Sequence, residues 1–215
     1  MIKIIKMNAS QYYPFVFGAI GAITLLRLTS KSALNPMFVI ISGLFVFMAV
    51  IGPLFINEQY EEKNKGYAFL DTLPVLNRDI VTAKFLLVLA ADITLVAYIA
   101  VLLSFASGPA EQIVIARSYV FLNGVICLLI CGLSYIGIMG IGYTKFALIA
   151  MSFLVFLGIP PLLIMSIHKE NMDVFIEKVL NFYTGLNWLI LLPVSIALYL
   201  GLMTVAVAIK GYRNV

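Results

Sequence analysis

Apolar residues fall into six long runs along the chain, and polar residues collect in the gaps between them. The runs are continuous and do not alternate at period two, which argues against a β-barrel. Each comes close to the roughly 20 residues a helix needs to cross the hydrocarbon of a bilayer. The pattern predicts spans over Tyr12–Leu28, Pro36–Ile56, Ile80–Ala106, Tyr119–Gly142, Phe146–Ile167 and Trp188–Ile209. Asn35-Pro36 suits a helix start, because asparagine caps and proline tolerates the first turn. Asn77 is placed to cap the third span, and Gly108-Pro109 marks a turn after it. Residues 2–7 alternate lysine with apolar side chains and are expected in the headgroup plane.

Two gaps carry patterns of their own. In 168–187, Met172, Phe175, Ile176, Val179, Leu180 and Tyr183 repeat on one helical face, with Asp173, Glu177, Lys178 and Asn181 largely on the other. This predicts a helix lying flat on the outer surface, either as a lid or brace or as a plain connector. The gap from Asn57 to Asp79 places Glu58, Glu61, Glu62 and Lys65 at helical spacing, then Tyr67, Phe69 and Leu70, then the helix-breaking Pro74. It reads either as a short amphipathic helix with a sharp re-entry or as an ordinary charged loop.

Composition fixes the class. Of 215 residues, 63% are apolar and 11% charged, and mean hydropathy is +1.08. Soluble domains hold about 45–50% apolar and about 25% charged residues. The chain is therefore expected to be an all-α polytopic membrane protein. No gap could hold a soluble domain of about 50 residues, so 1–215 is read as a single transmembrane domain. The net charge of +4 is no nucleic-acid signal, since basic residues in membrane proteins chiefly mark the cytoplasmic side. With both termini inside, the inner segments hold Lys3, Lys6, Lys63, Lys65, Arg78, Lys84, Lys145, Lys210 and Arg213. The outer ones hold Arg27, Lys31, Arg117, Lys169 and Lys178, and nine against five favours cytosolic termini in a multi-pass protein of the cell membrane. The first span is expected to stay uncleaved, because only the weak Ser30-Lys-Ser-Ala follows it as a cleavage site.

Candidate chemistry is sparse. No glycine is followed by lysine, so the phosphate-cradling loop of P-loop ATPases is missing, and no cofactor is expected on this chain. With His168 as the only histidine, a histidine-based zinc or proton-relay site within one chain is not expected. Cys127 and Cys131 sit four apart and read either as a thiol pair or metal site or as two small apolar residues on one helix face. Glu61-Glu62 resembles the glutamate pair of intramembrane prenyl-protein proteases, but glycine stands at 66 where they carry arginine. Catalysis is not expected.

Asp92 lies inside the third span. An aspartate at a helix centre costs about 2.5–3.5 kcal/mol on insertion scales. It should face protein or water, either on a substrate path or subunit interface, or as a protonated or hydrogen-bonded buried acid. Gly158, Pro160 and Pro161 fall mid-way along the fifth span, where paired prolines should bend or break the helix as a hinge. Gly132, Gly137, Gly140 and Gly142 in the fourth span suit either flexibility or close helix packing.

One stretch carries a family resemblance. Glu61 through Lys84, with Gly66-Tyr-x-Phe-Leu-x-x-Leu-Pro-x-x-x-Arg-x-Ile-Val-x-x-Lys84, resembles the signature of type-2 ABC transporter permeases, the compact six-helix subunits of bacterial exporters. Glu58, Glu61 and Glu62 match the acidic segment after the second span. Gly66 to Leu70 match the coupling helix, with Lys65 just before it, and Leu73-Pro74, Arg78, Ile80-Val81 and Lys84 match the re-entry. The resemblance implies six transmembrane helices, a cytoplasmic coupling helix between spans 2 and 3, and a permease that is half of a homo- or heterodimer. It also implies two separate ABC ATPase subunits, which would bind ATP and Mg and drive alternating access through the 57–80 loop. An amphipathic peptide, a lipid and a drug all suit such a path. The alternative is an ATP-independent, ion-coupled transporter that uses Asp92.

Overall fold

The computed structural model describes residues 2–29, 36–63, 77–106, 108–150 and 188–213. Six helices are assigned there: α1 (Ile2–Thr29), α2 (Pro36–Lys63), α3 (Asn77–Ser104), α4 (Ala110–Ile141), α5 (143–150) and α6 (Trp188–Arg213). No strand occurs among the described residues. Five of the helices are long and apolar enough to cross a membrane. The chain is a multi-pass helical membrane protein.

The first, second and sixth expected spans sit within observed helices, the third and fourth end one or two residues past theirs, and of the fifth only 146–150 falls among the described residues. α1, α2 and α4 run well beyond the apolar pattern, α4 starting at Ala110 and not at Tyr119. α1 continues unbroken from Ile2 through Pro14, so residues 2–7 prolong the first helix and do not form a separate element. α2 runs on to Lys63, although its apolar run ends at Ile56. The acidic turn Glu58–Glu62 thus belongs to a transmembrane helix and not to the gap in which the apolar pattern puts it. Polar residues tolerate this position because their charges are matched from α3, as described below. The predicted coupling residues Lys65, Gly66, Tyr67, Phe69, Leu70, Leu73 and Pro74 lie outside the described residues. So do the hinge residues Gly158, Pro160 and Pro161 and the amphipathic segment 168–187.

Packing centres on α4, which touches α2, α3 and α6, while α1 packs on α2 and α3. Half of the spanning window is buried in α2 and in α4, but only 17% in α1 and in α6. The latter two therefore carry most of the outward apolar surface. Lipid tails are as apolar as leucine, so burying apolar area drives little helix association here; close packing and interhelical hydrogen bonds do the work. Asn123 Nδ2 of α4 donates to the Gly43 carbonyl of α2 at 2.9 Å. The Tyr98 hydroxyl of α3 meets Thr24 Oγ1 of α1 at 2.6 Å. Gly132 decides the α4–α6 contact, since a Cβ there would stand 2.7 Å from Leu202 Cδ1 and 3.3 Å from the Tyr199 ring. The packing reading of Gly132 and Gly137 therefore holds, because α4 is helical through both. Gly142 ends the helix at φ +88°, a backbone state that glycine alone adopts readily. We predict that Gly132→Leu lowers stability by about 1–3 kcal/mol through overpacking. Gly140→Leu, with nothing within 4 Å of its Cβ position, should leave it unchanged. Thermal denaturation of the detergent-solubilised protein compares the two.

Helix directions carry a topological consequence. Leu202 and Tyr199 of α6 lie against Gly132 of α4. Leu192, Ser195 and Ile196 line one cleft together with Arg117, Phe121 and Leu128. The earlier part of each helix faces the earlier part of the other, so α4 and α6 run the same way. The chain leaves α4 at one end of the bundle and enters α6 at the opposite end.

Candidate functional site

At the end of the bundle where α2 stops and α3 starts, four ionisable side chains are gathered in the protein interior. Lys84 lies two turns into α3 and is 4% exposed. Its ammonium reaches Glu58 Oε1 at 2.6 Å and Glu61 Oε1 at 2.7 Å. Glu58 and Glu61, nearly one helical turn apart on α2, present both carboxylates to the same side. Glu58 is 0% exposed and also accepts from the Tyr135 hydroxyl of α4 at 2.7 Å. Lys210, near the end of α6, is buried and within electrostatic range of Glu61. Two carboxylates and two ammonium groups balance. Ion pairs survive at such depth only when paired and hydrogen-bonded, because desolvation costs several kcal/mol per ion.

An aromatic layer packs beside the cluster. The Phe85 ring sits 5.1 Å from the Tyr135 ring and 5.1 Å from the Tyr199 ring. The Tyr199 hydroxyl donates to the Phe85 carbonyl at 3.0 Å. Tyr12 of α1 is buried and feels the charge of Glu58. Five helices therefore meet at one polar node, and displacing the end of α2 relative to α3 would break charge-assisted contacts shared with α4.

Glu62 faces outward from the same turn of α2 and has a different task. Its Oε2 accepts from the Thr144 amide at 2.9 Å and from the Thr144 hydroxyl at 2.8 Å. It thereby caps α5, whose first amides have no intrahelical partner. Phe55 packs edge-on against Tyr143 at 6.0 Å and lies tilted against Phe146 at 6.3 Å, which fastens α5 to α2. Desolvation, and after it the Glu62 charge, push the Tyr143 hydroxyl above its ordinary value, so it stays neutral beside the carboxylate. A depression of about 500 Å³ opens here, lined by Gln59, Glu62, Lys63, Tyr143, Thr144 and Ala147.

The expected coupling residues thus divide. The structure brings Glu58, Glu61 and Lys84 together, Glu58 and Lys84 buried and Glu61 partly exposed beside them. Glu62 is exposed at the same end, where Arg78 opens α3. Tyr135, Thr144 and Lys210 complete the site and were not singled out from sequence as site residues. A tyrosine inside an apolar run is indistinguishable there from a packing aromatic, and its partner Glu58 is 77 positions away.

Asp92 belongs to a separate place. It is 3% exposed and lines a cleft of about 560 Å³ between α3, α4 and α6. One carboxylate oxygen takes the Cys127 thiol, while Oδ1 has no hydrogen-bond partner among the described residues. Cys127 and Cys131 are buried and unbridged, and the described residues hold no cluster suited to a metal ion. The thiols act as small core groups, one of them a weak donor to Asp92.

The fold and the node define a polytopic helical protein whose polar machinery clusters at one end of its bundle. The family described as "ABC-2 family transporter protein" matches residues 2–213. The chain belongs to that family, and is a permease-type membrane subunit of an ABC transporter, not itself an enzyme. No curated protein and no solved structure matches it.

Proposed function

We propose that this chain is the membrane half-unit of an ATP-driven exporter, working as a homo- or heterodimer on two separate ABC ATPase subunits. Those subunits would bind ATP and Mg, and this chain would hold neither. The observation that carries the reading is the node itself. Residues 64–76 follow α2, which ends two residues after Glu61, and precede α3, which carries Lys84 two turns from its start, so the helices on both flanks of this segment are tied by one ion cluster. A force applied to it is passed directly into α2 and α3, and through Tyr135 into α4. That is the mounting a coupling helix needs, and the resemblance implies one over Gly66–Leu70, after the end of α2 at Lys63.

The remaining features agree with this reading. Parallel α4 and α6 agree with the expected further crossing between them, and so with six spans and both termini on one side. The basic-residue count favours the cytosol for that side, and the depression at Gln59 and Tyr143 would adjoin the docked ATPase. The outward apolar surfaces of α1 and α6 are available to lipid and to a second permease.

A photo-crosslinking residue placed at Tyr67 or Phe69, with a candidate ABC ATPase subunit co-produced, tests the proposal. A covalent adduct to the ATPase, changing in yield with ATP and Mg, is the expected result. Adducts to lipid alone from both positions, in membranes where ATPase and permease still co-purify, would contradict it. The ion-coupled alternative predicts transport that a proton-gradient uncoupler abolishes and ATP depletion at constant gradient does not.

A further inference from the structure

The cleft between α3, α4 and α6 has an unusual charge pattern for its setting. Its walls are formed mainly by apolar side chains, among them Val96, Phe121, Val125 and Leu128. Asp92 lies towards one end, with Oδ1 buried in the wall and without a hydrogen-bond partner among the described residues, so a side-chain rotation is needed to present it to the cleft. The outer part holds Ser104 and Arg117, where the guanidinium donates to the Ser104 hydroxyl at 3.0 Å. Along α3 the rise from Asp92 to Ser104 is about 18 Å, so Arg117 is no counter-ion for Asp92. No lysine, arginine or histidine other than Arg117 appears among the described residues lining the cleft. Ser195 does not supply the missing contact either, since its hydroxyl turns back to the Leu192 carbonyl at 2.8 Å. Gly124 fixes the depth of the carboxylate, because a Cβ there would stand 3.2 Å from Asp92 Oδ2 and 2.7 Å from Val96 Cγ2. The glycine lets α3 and α4 close around the aspartate.

We propose that this cleft binds a lipophilic monocation, an amine with an apolar body, whose ammonium group pairs with Asp92 while the body lies along the aliphatic walls. An acid kept inside a membrane protein marks a ligand or ion pathway by default, and three properties here select the ligand. The free oxygen asks for a donor, and an ammonium supplies both donor and charge. The walls reward an apolar body of up to about 18 Å, the length set by the helical rise. Arg117 at the far end repels a second cation, so a diamine of that length is disfavoured. The inference names a substrate class for the exporter reading and rests on it only for the direction of transport; binding needs no ATPase.

The test uses the purified full-length chain in nanodiscs of a zwitterionic phospholipid. The probe is a dansyl-labelled dodecylammonium ion, compared with the matching dansyl dodecanol and a dodecane diammonium ion. Saturable binding of the monocation is expected. Asp92→Asn should weaken it at least tenfold, with dansyl dodecanol unaffected, and Asp92→Glu should restore part of the loss. Ala97→Trp, which narrows the cleft from an exposed lining position without touching the carboxylate, should exclude every probe. Equal affinity in Asp92→Asn and the native chain would overturn the proposal. So would equal binding of the diammonium ion and the monocation. A change in the dimer fraction of Asp92→Asn with no change in probe affinity would also overturn it, and would assign the cleft to a second copy. Failure of the ATPase crosslink with amine binding intact would sink only the exporter reading, and the reverse pattern would sink only this one.

Discussion

Lys84→Met is expected to destabilise the protein by about 3–5 kcal/mol, the usual cost of removing one partner from a buried ion pair. The substitution preserves the bulk of the side chain but leaves Glu58 and Glu61 facing each other in a nearly dry site, 0% exposed in the case of Glu58. Lys210 alone cannot balance both carboxylates. Adding Glu58→Gln to the same chain makes the cluster neutral again, and the amide oxygen it introduces can still accept from Tyr135. The double variant should therefore recover most of the lost stability. Thermal denaturation of the solubilised protein reads both changes. The two variants should differ in a second way, because restored stability does not restore the charged link between α2 and α3. Transport by the double variant should stay well below native. If Lys84→Met denatured at the native temperature, the contacts of 2.6 and 2.7 Å would not be holding these helices together.

The second large effect concerns the segment between α2 and α3. Replacing Tyr67, Phe69 and Leu70 together by alanine is expected to reduce transport at least tenfold while the chain still inserts and folds. Three apolar side chains at the centre of an interface of this kind carry most of its energy, since a few buried anchors dominate protein–protein binding. The ion cluster at Glu58, Glu61 and Lys84 is untouched by these changes, so stability should remain within a fraction of a kcal/mol of native. ATP hydrolysis by the partner subunits should continue but lose its link to substrate. Native transport in the triple variant would show that the ATPases grip this chain elsewhere.

Much of the architecture was legible because membranes impose a simple rule. Backbone groups must be satisfied within each helix, so apolar run length reports crossings directly. Helix starts were also readable where local chemistry decides them, as at Asn77 and Pro36. The end of α2 was not. Polar residues from Glu58 to Lys63 look like a solvent-exposed gap when only neighbours in sequence are seen. Their matching charge arrives from Lys84, 26 positions after Glu58, and their hydrogen-bond donor from Tyr135, later still. Pairing over such separations leaves no periodic trace. Asp92 could be flagged from hydropathy alone, but its cleft depends on three helices and on the missing side chain at Gly124. Gly132 posed the same difficulty in another form. Flexibility and close packing ask for the same residue, and only the neighbouring Tyr199 and Leu202 decide between them.

The central claim is that the segment joining α2 to α3 meets a motor on the cytosolic side. Its most direct test is the sidedness of single cysteines at Glu62 and Lys65, introduced into a chain whose Cys127 and Cys131 are replaced by alanine. A membrane-impermeant maleimide should label both positions in inside-out vesicles and neither in intact cells. Labelling of both in intact cells would place the segment outside, beyond the reach of any ATP-driven subunit, and would contradict the account.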